Sequence, residues 1–143
     1  MNSIKSCVFH DPGHGQHERI LFEIVEHAHS RHEKVLVYAS NQTRAAELDR
    51  ILWILKQEAF LPHKICLPDE PDAGIPIAIV TGEINPISAG VLVADGHCSI
   101  DFACTFNSVH EFVIRDSPDL QETCRQRYRA YKEKKIAVEH VKE

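Results

Sequence analysis

Gln121, Arg125, Tyr128 and Lys132 recur at helical spacing late in the chain. Turned about 100° per residue from Leu120, they share a stripe at roughly 80–140°, with Arg129 on its outer edge. Cys124, Arg127 and Tyr131 gather within roughly 40° of Leu120 and are expected to pack inward. The stripe sets fixed cations beside an aromatic wall. Such a surface suits an acidic peptide ending in a free carboxylate, because arginine donates two parallel hydrogen bonds and the wall takes a side chain. A solvated basic helix face is the plainer reading.

A second group of side chains points toward binding rather than catalysis. Residues 48–63 read as an amphipathic helix that frays before Pro62, with Leu48, Ile51, Leu52 and Leu55 in one stripe. Trp53 falls roughly 150° from the centre of that stripe, beside Ala46, Asp49 and Arg50. A large ring on a polar face is an anchor for a partner, unless a neighbouring loop or the Phe60 segment covers it.

Signals for other chemistry are thin. Gly13-His14-Gly15 follows a strand and precedes a helix, as in a dinucleotide site. The third small residue of that fingerprint is missing, Glu18 stands in its place, and Tyr38-Ala39-Ser40 offers no carboxylate for a ribose. A plain connecting turn is expected there. The ten histidines include the close set His10, His14 and His17, but no HExxH or cysteine–histidine zinc spacing accompanies them. Asp11, Asp95 and Asp101 are isolated, and no nucleophile elbow is present. Neither a catalytic residue nor a cofactor or metal site is expected.

Composition sets the class. The chain has 143 residues, 43% of them hydrophobic and 26% charged, as in one ordinary globular domain spanning 1–143. No apolar run reaches a membrane span and no signal-peptide core opens the chain, so a cytoplasmic protein is expected. The 5 cysteines lack a CxxC pair and read as reduced structural thiols. A net charge of −5 argues against a phosphate backbone as main partner, although residues 121–135 hold a local excess of cations.

The elements that position these groups alternate along the first half. Residues 6–10 read as a strand, 16–32 as a helix, 34–39 as a strand covered on both faces, and a helix capped by Ser40 or Asn41 runs through Trp53. The second half holds a weak strand at 63–67, stronger ones at 75–80 and 90–94, and an extended segment at 110–114. Residues 68–76 read as an acidic loop and 101–106 are ambiguous. Ser117-Pro118-Asp119 starts a helix that reaches Lys134 and leaves a frayed, charged tail. The expectation is an α/β fold, a single mostly parallel twisted sheet flanked by helices, Rossmann-like but without a functional nucleotide site.

At this point several motifs in order carry a resemblance. Leu48-Asp49-Arg50-Ile51-Leu52-Trp53 is followed by Phe60-Leu61-Pro62-His63, then Asp101-Phe102-Ala103-Cys104-Thr105-Phe106, Glu111-Phe112-Val113 and Arg125-Gln126-Arg127-Tyr128-Arg129-Ala130-Tyr131. Together they resemble the chi subunit family of bacterial DNA polymerase III over nearly the whole chain. The resemblance implies a non-catalytic accessory subunit of the clamp-loader assembly. It also implies a grip on the C-terminal tail of single-stranded DNA-binding protein, an acidic peptide ending in proline and phenylalanine.

Positions matching that tail pocket are Met1, Val113, Arg125, Tyr128, Arg129 and Lys132. Gln121 departs from the pattern, which has lysine there, and the alignment needs one inserted residue between Val113 and Leu120. Trp53 and Phe60 match the surface for the psi subunit or a competing helicase. No membrane partner is implied, and direct nucleic-acid binding is expected to be weak or absent. Two alternatives stand beside this reading: a direct single-stranded DNA-binding module using Arg125, Tyr128 and Arg129, and a nucleotide-dependent α/β enzyme.

Overall fold

The computed structural model describes residues 6–13, 15–54, 61–66 and 74–142. Met1, His14, Leu55, Phe60 and most of the acidic 68–76 loop lie outside the described residues.

The strands are β1 (Ser6–Asp11), β2 (Val35–Tyr38), β3 (His63–Ile65), β4 (Ile77–Val80), β5 (Val91–Ala94), β6 (Ser108–Phe112) and β7 (Val138–Lys142). Short β-branched runs build the central strands β2, β4 and β5. Every ladder is parallel, and the order is β3-β4-β2-β5-β6-β1-β7. The helices are α1 (His17–Ser30), α2 (Gln42–Ile54), α3 (Ile100–Ala103) and α4 (Pro118–Glu133). None of them is long and apolar enough to cross a membrane.

Alternation along each strand divides the core. Val35, Val37, Ile77, Ile79, Val91 and Val93 pack with α1 and α2 on one face of the sheet. Leu36, Ala78, Val80, Leu92 and Ala94 pack on the other, with Phe9, Val109, Phe106 and Tyr131. The central strands are therefore apolar on both faces, as buried parallel strands must be. All five cysteines are free thiols and buried.

Local chemistry explains most boundaries. Asn41 accepts a hydrogen bond from the Arg44 amide at 2.8 Å and Ser117 one from the Leu120 amide at 3.1 Å, capping α2 and α4. The ambiguous 101–106 stretch supplies α3, capped by Ser99.

The expected frayed tail after α4 is corrected. Lys135 takes a left-handed conformation, φ 61°, and its amide bonds the Lys132 carbonyl at 2.9 Å, while the Ile136 amide reaches back to the Tyr131 carbonyl at 3.2 Å. This paired closure ends the helix, and buried Ile136 packs on the same core as Tyr131. The chain then runs out as β7, with Cys7 opposite Val138 and Asp11 opposite Lys142.

Candidate functional site

Two concavities toward the carboxyl end of the sheet differ in chemistry. The first lies where β2 and β5 end, the usual ligand crevice of such a sheet. Its volume is about 450 Å³, and it is crowded by an ion-pair network. Asp95 receives Arg44 Nε at 2.8 Å and Arg44 Nη2 at 2.9 Å, and lies 2.8 Å from His17 Nε2. Burial alone would raise the Asp95 carboxyl; the bonds from Arg44 and His17 outweigh it and hold it below the usual range. Arg44 also meets Glu18 at 3.3 Å, so its charge is neutralised.

The backbone is close there as well. A Cβ on Gly96 would stand 2.7 Å from the Ser40 amide nitrogen. Glu18, in the first turn of α1, puts a carboxylate where a phosphate would have to sit. The crevice thus carries its own acids and, among the described residues that line it, no uncompensated cation for a pyrophosphate. Among the described residues, no group of three or more His, Cys, Asp or Glu could hold a metal ion.

The second concavity, about 300 Å³, is formed by α4, the end of β6 and the β1–β7 edge. Its floor is apolar: Val113, Tyr128 and Phe9, the two rings 5.4 Å apart and edge-on. The Val113 amide bonds the His10 carbonyl at 2.8 Å, and the Ile114 amide meets Cys124 Sγ at 3.4 Å, so this segment is pinned beneath α4. Arg125 and Arg129 project from the exposed face of α4 onto the rim. The inward face is as the periodicity predicts, with Cys124, Arg127 and Tyr131 buried.

Of the residues singled out in the sequence, the structure brings Val113, Arg125, Tyr128 and Arg129 together around this cavity, with Gln121 beside them. Lys132 lies outside the lining, its Nζ 5.6 Å from the Tyr128 ring centroid. Met1 falls outside the described residues.

Three lining residues were missed, Phe9, Arg115 and His140; Cys124, buried as expected, also borders the cavity. Arg115 and His140 both bond the Asp11 carboxylate. Arg115 Nε and Nη2 donate at 3.1 and 2.6 Å, and His140 Nε2 lies at 3.1 Å. The Arg115 bonds, helped by His140 and opposed by desolvation, hold the Asp11 carboxyl below its ordinary range.

Trp53 and Ile54 are the exposed large hydrophobics among the described residues, at 50% and 56%. The Trp53 ring leans on His63, centroids 4.6 Å apart, and Phe60 lies outside the described residues. This patch sits on the opposite face of the sheet from α4, and α2 packs by β3 and β4 at the far edge from β7.

Known proteins bear on this geometry. The backbone is similar to the C-terminal domain of the DEAD-box protein Dbp5, with a TM-score of 0.60 and 13% identity over 99% of this chain and 91% of that one, a likeness of fold. DNA polymerase III subunit chi of Escherichia coli K12 is 28% identical over 116 residues, 80% of this chain and 78% of that protein. The Pseudomonas aeruginosa protein of the same name is 27% identical over 115 residues, with the same shares covered. Residues 4–139 match the family described as DNA polymerase III chi subunit, HolC, and the chain belongs to that family.

Proposed function

We propose that the chain is a non-catalytic accessory subunit that links the clamp-loader assembly of DNA polymerase III to single-stranded DNA-binding protein during replication, by gripping that protein's acidic C-terminal tail. The observation that carries this is the second concavity: an apolar floor of Phe9, Val113 and Tyr128 with Arg125 and Arg129 on its rim. A terminal phenylalanine ring fills such a floor, and arginines on the rim pair with the carboxylates beside it. Lys132 lies farther out and attracts the acidic residues upstream. The exposed Trp53, with Phe60, is the docking face for psi or another clamp-loader or helicase protein, on the far side of the sheet from the tail. Chemistry takes place elsewhere in the polymerase.

Titration with the C-terminal peptide of the cognate single-stranded DNA-binding protein tests this reading. Saturable binding is expected, weakened by salt because exposed charges supply part of it. It should be weakened by Arg125→Ala and lost with a peptide lacking its terminal phenylalanine. Absence of binding at low salt would overturn the proposal.

A further inference from the structure

Arg115 and His140 line the tail cavity, and both bond the Asp11 carboxylate where three segments meet. Asp11 ends β1, Arg115 lies in the connection from β6 to α4, and His140 is on β7. Phe9, Asp11 and His140 share one side of the sheet, since Phe9 and Asp11 alternate along β1 and His140 pairs with Phe9. Asp11 is only 5% exposed, whereas Arg115 is 61% exposed. A buried carboxylate therefore holds an exposed guanidinium by two hydrogen bonds at the rim of an apolar pocket. Gln121 Nε2 adds a bond to the Arg115 carbonyl at 3.3 Å, tying the same residue to the first turn of α4.

An arginine held this way is oriented but not used up. Asp11 takes Nε and one hydrogen of Nη2. The edge formed by Nη1 and the second Nη2 hydrogen stays directed away from Asp11, and its fork matches a second carboxylate. Pairing with Asp11 cancels the net charge of Arg115, so it contributes direction more than long-range attraction. Arg125 and Arg129, on the exposed face of α4, supply the attraction.

We propose that Arg115, positioned by Asp11, is the residue that recognises the terminal carboxylate of the bound peptide and so makes the cavity selective for a chain end. The proposal rests on the tail-binding reading above and assigns a role within it. A ring seated on Phe9, Val113 and Tyr128 keeps its own carboxylate within a few bonds of that floor. Arg115 lies two residues along the chain from Val113, at the same cavity. Internal acidic residues lack an adjacent terminal carboxylate and meet Arg125 instead. Asp11 touches no peptide in this scheme; it is a positioning residue.

The test uses the full chain and two forms of the acidic C-terminal peptide, one with a free terminal carboxylate and one amidated. The wild-type protein is expected to prefer the free acid. Arg115→Ala should shrink that preference by about tenfold, the value of one charge-assisted pair, while leaving binding of the amide nearly unchanged. Arg115→Lys should restore part of the preference, and Arg125→Ala should weaken both peptides together. Asp11→Asn should lower the preference less than Arg115→Ala, and the exposed Arg115 variants carry the test if the buried Asn is not tolerated. An arginine that merely steadies Asp11 would alter the melting temperature and leave the acid-to-amide ratio alone. Unchanged preference in Arg115→Ala overturns this assignment and leaves the tail cavity standing. Failure of the wild-type protein to bind either peptide overturns the tail-binding reading itself.

Discussion

Arg127 of α4 and Glu111 of β6 are locked together inside the protein, Nη2 2.5 Å from Oε2 and Nε 2.9 Å from Oε1. Tyr131 donates its hydroxyl to the same carboxylate at 2.6 Å, and Arg127 also reaches the Cys98 carbonyl. Glu111 is 1% exposed and Arg127 7%. This network fixes the rotation of α4 on the sheet, and with it the outward direction of Arg125, Tyr128 and Arg129 over Val113.

Removing one partner leaves the other charge buried and unpaired. Arg127→Ala is therefore expected to cost about 3–5 kcal/mol, measured by urea unfolding. Replacing the network together, Arg127→Met with Glu111→Leu and Tyr131→Phe, should recover much of that loss, because the buried charges and the hydroxyl that Glu111 holds disappear together. A loss below about 1 kcal/mol for Arg127→Ala would place the anchoring of α4 in its apolar contacts instead.

His110 makes stability depend on pH on the other face of the sheet. Its Nδ1 lies 2.9 Å from His10 Nε2, and Glu23 and His27 of α1 with Arg31 and Glu33 after it line the same hollow. Burial, then the charges of His10 and His27, push the His110 imidazole down to about 4. In the unfolded chain the ring takes its proton near the ordinary value of about 6.5. Between those pH values the unfolded state binds more protons, so stability falls as pH drops from about 6.5 to about 4, by up to about 3 kcal/mol. Unfolding free energies measured across that window should show the slope in the wild-type protein and a flatter line in His110→Gln.

Much of this architecture is legible in the residues, and the exceptions have physical causes. The inward face of α4 follows from a single period running unbroken behind the Ser117-Pro118 cap. Trp53 shows its outward direction for the same reason. The cavity is harder to read because long-range contacts complete it. Asp11 meets Arg115 and His140 across 104 and 129 residues, and no local spacing reveals such pairs. The last strand is disguised by its position at the edge of the sheet. Val138, Glu139, His140, Val141 and Lys142 are each at least partly exposed, so the run carries enough charge to pass for a tail. The clue is Ile136, an apolar residue just past the basic helix end, where a helix closed by a left-handed residue needs a hydrophobic contact.

That closure suggests a stabilising substitution. Lys135 is exposed and adopts φ 61°, a conformation that disfavours a side chain with Cβ. Lys135→Gly should raise stability by about 0.5–1 kcal/mol, seen as a melting temperature roughly 2–3 °C higher. Tail-peptide binding should not change, since Lys135 lies beyond the cavity. A drop in melting temperature would mean that the lost lysine contributes more than the relieved backbone.

Trp53 separates folding from docking. The ring is half exposed and rests on His63, whose Nδ1 lies 2.6 Å from the Leu61 carbonyl, so the support is rigid while the outer face meets solvent. Half of the side chain is buried against its neighbours, so Trp53→Ala is expected to lower unfolding free energy by about 1–2 kcal/mol while leaving the protein folded. An aromatic anchor at an interface typically contributes about 2 kcal/mol or more, a loss of roughly thirtyfold in affinity. Binding of the variant to the cognate clamp-loader assembly, measured beside its titration with the tail peptide, should show that loss in the first and none in the second. Equal binding of variant and wild type to the assembly would move the docking surface away from α2. A fall in both measurements would couple the two faces through the sheet, a coupling that their positions at opposite edges argue against.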